Sequence, residues 1–162
     1  MKVISGGQTG VDQSALRAAL DCGLPCGGWC PPGRSCESGV IPSRFPLQET
    51  PQERSPEALD IPRSQRTEWN VRDSDATLIL LPSRQSEDDR GTDWARRCAQ
   101  RDARPVLVCD PDDAQGVAKI ERWLGAVRPR VLNVAGPAES KAPGIGEKVY
   151  LLLRKIFSSR LS

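Results

Sequence analysis

The segment Ser5-Gly6-Gly7-Gln8-Thr9-Gly10-Val11-Asp12 constrains this chain more than any other. It follows the short apolar run Lys2-Val3-Ile4 and opens a helical pattern, so a strand must turn sharply into a helix. Such a turn converges backbone N–H groups and a helix N-terminus on one spot, which attracts an anion. Thr9 and Asp12 have the spacing of a capping box. Two later loops also follow apolar runs and precede helical patterns: Gly91-Thr92, and the stretch 133–141 that contains Gly136, Glu139, Ser140 and Lys141. In an open parallel sheet, loops at the carboxyl ends of strands gather where the strand order reverses, and nucleotide-like ligands bind there. The three loops are therefore expected to line one crevice.

The remaining pattern alternates strands with helices. Val11, Ala15, Ala18, Ala19 and Cys22 recur on one helical face, and Gly23 ends that helix. Residues 25–29 read as a second strand. The Pro-, Glu- and Ser-rich stretch 36–62 has no period and reads as a long loop or lid over the crevice. Ser64 is placed to cap a short helix reaching Arg72, and 76–81 is the clearest buried strand. Residues 83–90 read as a charged loop before a helix whose Trp94, Ala95, Cys98 and Ala99 face inward. A buried strand over 105–109, a helix with Val117, Ile120, Leu124 and Val127 inward, and a strand over 130–134 follow. The last helix starts near Gly146 with Val149, Leu152, Leu153 and Ile156 as its stripe. This order predicts a single α/β domain over 1–162, a Rossmann-like three-layer sandwich with a mainly parallel central sheet.

Composition excludes several function classes. At 162 residues the chain buries a core without disulfides, and a net charge of +2 with 27% charged residues argues against nucleic acid as the partner. No apolar run approaches the ~20 residues needed to span a bilayer, and no secretory pattern opens the sequence. A cytoplasmic location and no membrane contact are expected. The six cysteines read as reduced thiols; Cys22, Cys26, Cys30 and Cys36 lack the paired spacing of a zinc ribbon, and no metal site is assigned. With no histidine, Ser-His-Asp and Cys-His catalysis are excluded.

Four separated blocks, Ser5 to Asp12, Gly27-Gly28-Trp29-Cys30-Pro31, Arg66 to Asp75, and Asn133-Val134-Ala135-Gly136-Pro137 with Glu139-Ser140-Lys141, occur in the order of the molybdenum-cofactor carrier family. The chain resembles that family from Met1 to about Gly144. The family is similar to YpsA-like, SLOG-type Rossmannoid proteins, related to the Lonely-guy or lysine-decarboxylase-like phosphoribohydrolases. The resemblance implies a small anionic ligand, either the molybdenum cofactor (molybdopterin) or a nucleotide-like phosphate ligand. It also implies a homo-oligomer, dimer or tetramer, and transient contact with cofactor-donating or cofactor-accepting proteins. Because the dithiolene sulfurs of the pterin already hold the metal, a carrier needs only to grip the phosphate and cover the ring.

Ser5, Gly6, Gly7, Gln8, Thr9, Gly10 and Asp12 form the first expected ligand loop, with glycines admitting an anion to the backbone and Ser5 and Thr9 donating hydroxyls. Gly91, Thr92, Gly136, Glu139, Ser140 and Lys141 form the opposing loops; Lys141 reads equally as a solvated lysine. Trp29 and Arg34 are candidates to stack on or pair with a planar anionic ring, with core packing the alternative for Trp29. Arg66, Asn70 and Asp73 share one helical stripe, facing a ligand, an oligomer partner or solvent. Arg90, Ala138 and Pro32 depart from the family pattern, Ala138 standing where an arginine is common. The related hydrolases carry Gly-Thr-x-x-Glu; here the segment is Gly91-Thr92-Asp93-Trp94-Ala95, without the glutamate. A non-enzymatic carrier is thus expected first and no catalytic residue is assigned. A nucleotide-derivative sensor and a phosphoribohydrolase-like enzyme are the alternatives.

Overall fold

The computed structural model describes residues 1–84 and 89–160. In chain order the elements are β1 (Lys2–Ile4), α1 (Val11–Asp21), β2 (Cys26–Gly27), β3 (Trp29–Cys30), β4 (Ser35–Cys36), β5 (Gly39–Val40), β6 (Gln48–Glu49), α2 (Ser64–Arg72), β7 (Ala76–Leu80), α3 (Arg90–Arg101), β8 (Val106–Cys109), α4 (Gly116–Val127), β9 (Val131–Ala135) and α5 (Ile145–Ser159). β1, β2, β7, β8 and β9 pair in parallel in the order β2-β1-β9-β7-β8. The chain leaves β1 toward one sheet edge and β7 toward the other, and its last strand, β9, slots between them. The carboxyl ends of β1, β9 and β7 consequently form the reversal point of the sheet.

Side-chain alternation assigns the two faces. Leu78 and Leu80 of β7, Val3 of β1 and Leu132 and Val134 of β9 pack with Ala15, Ala19, Ile120, Leu124, Val149 and Leu153 of α1, α4 and α5. Ile79 points the other way, into Val71, Trp94, Ala95 and Cys98 of α2 and α3. The result is the helix–sheet–helix sandwich read from the sequence. Each fully buried aliphatic side chain contributes about 1.5–3 kcal/mol.

Local details depart from the sequence reading for identifiable reasons. The strand expected over 25–29 breaks at Gly28 (φ 124°), where a Cβ would stand 2.5 Å from the Ser5 carbonyl oxygen. β2 stays in the main sheet while β3 pairs with β6. β8 is a sheet edge, not a buried strand, and Val108 is 46% exposed. Residues 36–62 carry short strands, and Ile41 and Phe45 are buried there with Leu16, Cys30 and Cys36. Ser64 does not cap α2: its hydroxyl accepts from the Ser55 amide and donates to the Ala58 carbonyl, and left-handed Arg63 is the N-cap. The capping box also fails, because Gly10 is the N-cap of α1 and Asp12 reaches back to the Gln8 amide. Of the charged loop expected over 83–90, residues 85–88 lie outside the described residues. Among the described residues no helix is long and apolar enough to cross a membrane.

Candidate functional site

The loop after β1, the loop after β9 and the start of α3 do converge, and the start of α2 joins them. They enclose a cleft of about 410 Å3. Gln8 and Asp12 form one wall, Gly136, Ala138 and Lys141 a second, Asp89, Arg90, Gly91 and Thr92 a third, and Arg63, Arg66 and Thr67 the fourth. Among the described residues the cleft carries Arg63, Arg66, Arg90 and Lys141 against the carboxylates of Asp12 and Asp89, an excess of positive charge.

At its base, Arg66 Nη1 donates to Asp12 Oδ2 at 3.0 Å, and the Gln8 amide donates to the same oxygen at 3.2 Å. The Asp12 side chain is only 2% exposed. Burial pushes its pKa above the ordinary 3.8, and the Arg66 charge, the Gln8 amide and the Ser5 hydroxyl oppose that rise. The second feature is on Arg66 itself: its Nε is buried and has no hydrogen-bond partner among the described residues. Leaving such a donor unpaired costs about 1–3 kcal/mol, more for a charged group. Arg63 likewise makes no side-chain hydrogen bond or ion pair among the described residues; it enters the cleft because the N-cap of α2 takes a left-handed turn (φ 57°). Asp89 caps α3, accepting from the Thr92 amide at 3.2 Å and the Thr92 hydroxyl at 2.5 Å, and Lys141 Nζ stands 3.8 Å from its Oδ1. Arg90 pairs with Asp60 at the rim.

Of the residues expected from sequence, Gln8, Asp12, Arg66, Gly91, Thr92, Gly136 and Lys141 line the cleft. The glycines of the first loop have a different reason from the one expected. A Cβ on Gly6 would meet Arg66, one on Gly7 would meet Leu47 and Ile41, and one on Gly10 would meet the backbone of 137–139. Protein, not open space, lies over all three. Ser5 is buried and donates to the Val134 carbonyl, and Glu139 accepts the Gly144 and Gly146 amides at the start of α5. Thr9 and Ser140 meet at Glu37, beside the cleft.

Trp29, Arg34 and Asn70 lie apart from this cleft. Trp29 Nε1 donates to Asp73 at 2.7 Å, its ring meets Trp69 edge-on at 4.8 Å, and Asn70 clamps both its backbone amide and carbonyl at 2.9 Å. The stripe of Arg66, Asn70 and Asp73 therefore serves the cleft at one residue and Trp29 at two. Arg34 spends its guanidinium on the carbonyls of Pro42, Phe45 and Leu47. Sequence reasoning missed Arg63, Thr67 and Asp89. Asp89-x-x-Thr92 carries a readable capping spacing, and Thr67 lies in the Arg66 to Asp75 block without a role read for it; nothing in the sequence marks Arg63.

A five-stranded parallel sheet flanked by helices, with its carboxyl-end loops around a basic cleft, defines a Rossmann-like α/β protein. The sequence profile of the circularly permutated YpsA SLOG family matches residues 3–157, and the chain belongs to that family. It is also similar to a crystal structure from Syntrophus aciditrophicus SB described as a "putative molybdenum carrier protein". The two share 36% identity with a TM-score of 0.83, over 96% of this chain and 93% of that one. No curated protein matches the sequence.

Proposed function

We propose that this protein carries the molybdenum cofactor as cargo, gripping the phosphate of the pterin in the cleft between Arg66, Arg63 and Lys141. The observation that carries this reading is the buried, unpartnered Nε of Arg66, a charged donor that a phosphate oxygen satisfies. Asp12 orients the guanidinium from behind, so the fork is set before the ligand arrives. The residues present fit the anionic end of such a ligand, and the cleft volume falls in the range of about 300–1,000 Å3 usual for small-molecule sites. Arg63 offers the donor that the family's arginine at position 138 would supply. The description of the similar protein from Syntrophus aciditrophicus supports the choice of cargo. Ala95 lines the cleft, and its methyl offers no acid or base to a glycosidic bond, which favours holding over hydrolysis.

In this account the bound group supplies its own metal coordination through the dithiolene, and the chain supplies the phosphate grip. Hand-over to donor and acceptor proteins, and assembly with further copies of this chain, belong to the same proposal. The test is the cargo of protein isolated anaerobically from cofactor-replete cells. Molybdenum by metal analysis and pterin by fluorescence are expected together, near one per chain. Neither in the fresh protein overturns the carrier reading; a nucleotide without molybdenum transfers the cleft to a nucleotide-derivative sensor.

A further inference from the structure

The hairpin of β4 and β5 turns at Glu37 and sets its carboxylate between the loop after β1 and the loop after β9. There it accepts from the Thr9 hydroxyl, from the Ser140 hydroxyl and, at 3.1 Å, from the Ser140 amide. Thr9 Oγ1 in turn accepts the Glu139 amide at 3.2 Å, which directs the hydroxyl proton toward the carboxylate. Two hydroxyls and one amide converging on an anion form an oxyanion seat, and the chain's own side chain occupies it.

The seat adjoins the cleft. Gln8, Ala138 and Lys141, chain neighbours of Thr9, Glu139 and Ser140, line the cleft, and so does Arg63, whose charge acts on Glu37. Those donors and Arg63 hold the Glu37 carboxyl below its ordinary range. Apart from them Glu37 is exposed and makes no ion pair among the described residues, while the base of the hairpin is fixed separately by Gln8 Nε2 donating to the Ser35 carbonyl at 3.0 Å and by the buried Cys36. Arg66, whose buried Nε has no hydrogen-bond partner among the described residues, lines the same cleft.

We propose that Thr9 and Ser140 form a second anion position of the cleft, filled by Glu37 until a ligand's second phosphoryl or comparable oxyanion displaces it. This inference rests on the cleft reading, and it defines the ligand class as one with two anionic groups, one at Arg66 and one at the seat. Glu37 then competes with the second group and sets its affinity.

Titration calorimetry with inorganic pyrophosphate and orthophosphate tests this on the full chain. Glu37→Ala is expected to tighten pyrophosphate about fivefold, the equilibrium worth of one net hydrogen bond, and to change orthophosphate little. Adding Ser140→Ala should cancel the gain. Should Glu37→Ala fold poorly by thermal unfolding, Glu37→Asp, one methylene short of the seat, is expected to give the same direction. Pyrophosphate affinity unchanged or weakened in the folded variant overturns the inference. If Arg66→Met still abolishes orthophosphate binding in that case, the cleft reading survives alone. Failure of both probes to bind wild type and Glu37→Ala removes both.

Discussion

The Arg66 guanidinium lies directly over Gly6, so closely that a Cβ at position 6 would stand 2.2 Å from Nη1 and 2.9 Å from Asp12 Oδ2. This glycine, two residues past β1, makes room for the ion pair between Arg66 and Asp12 at the base of the cleft. Gly6 does not have a positive φ, so alanine there stresses the side chain above it rather than the backbone. Gly6→Ala is expected to fold, to dislodge Arg66 from Asp12, and to weaken orthophosphate binding roughly tenfold, the loss of a charge-assisted hydrogen bond. Calorimetry with a thermal-unfolding control checks it; unchanged affinity means that Arg66 does not need this pose.

Gly7 and Gly10 should behave differently. Both have positive φ, 76° and 79°, and a Cβ on Gly10 meets backbone at 2.6 Å, which cannot swing aside. Gly10→Val is expected to destabilise the fold by several kcal/mol, on the order of left-handed strain plus overpacking. Urea unfolding measures this, and a loss under about 0.5 kcal/mol, the range of an ordinary surface substitution, contradicts the packing seen over this turn.

Burial raises the folded-state pKa of Asp12, so the native protein binds a proton more readily than the unfolded chain does. Between the ordinary value of 3.8 and the raised one, the folded state holds more protons, and this group's contribution to stability falls as pH rises through that window. Asp12→Asn removes that dependence and leaves Arg66 without its counter-charge, a loss of about 3 kcal/mol for a broken buried pair. Unfolding free energies across the pH series for the two proteins should diverge in slope above pH 3.8, wild type falling relative to Asp12→Asn. Parallel curves contradict the shift.

Burial also pushes the Cys98 thiol up to about 12. With so little thiolate, Cys98 should resist alkylation by iodoacetamide at pH 8 in the native protein and react only on unfolding. Mass spectrometry of the modified peptide reads this directly; labelling of Cys98 in the native protein at the rate of the half-buried Cys22 runs against it.

Much of the fold was legible because long-range order follows from local pattern. The inward stripe of α3 emerged as read, with Trp94, Ala95, Cys98 and Ala99 buried, and 76–80 is a fully buried interior strand, flanked by β9 and β8. The convergence of three loops followed from parallel topology. What the sequence concealed depends on contacts remote along the chain. The glycines of the first loop looked like openings for an anion, but their neighbours, Arg66, Leu47 and the 137–139 backbone, lie 40 to 129 positions away. Trp29 read either as a stacking ring or as a packed side chain, and the clamp by Asn70 and Asp73 decides for packing away from the cleft. Arg63 owes its place to a left-handed N-cap that no residue type announces.

The most direct test of the phosphate grip is a crystal structure of the protein with the ligand it retains when isolated anaerobically and crystallised without added nucleotide. A phosphate oxygen is expected at about 2.7–2.9 Å from Arg66 Nε, with Arg63 and Lys141 turned toward the same group. A phosphorylated pterin bound elsewhere, with Arg66 Nε still unpartnered behind it, would contradict it.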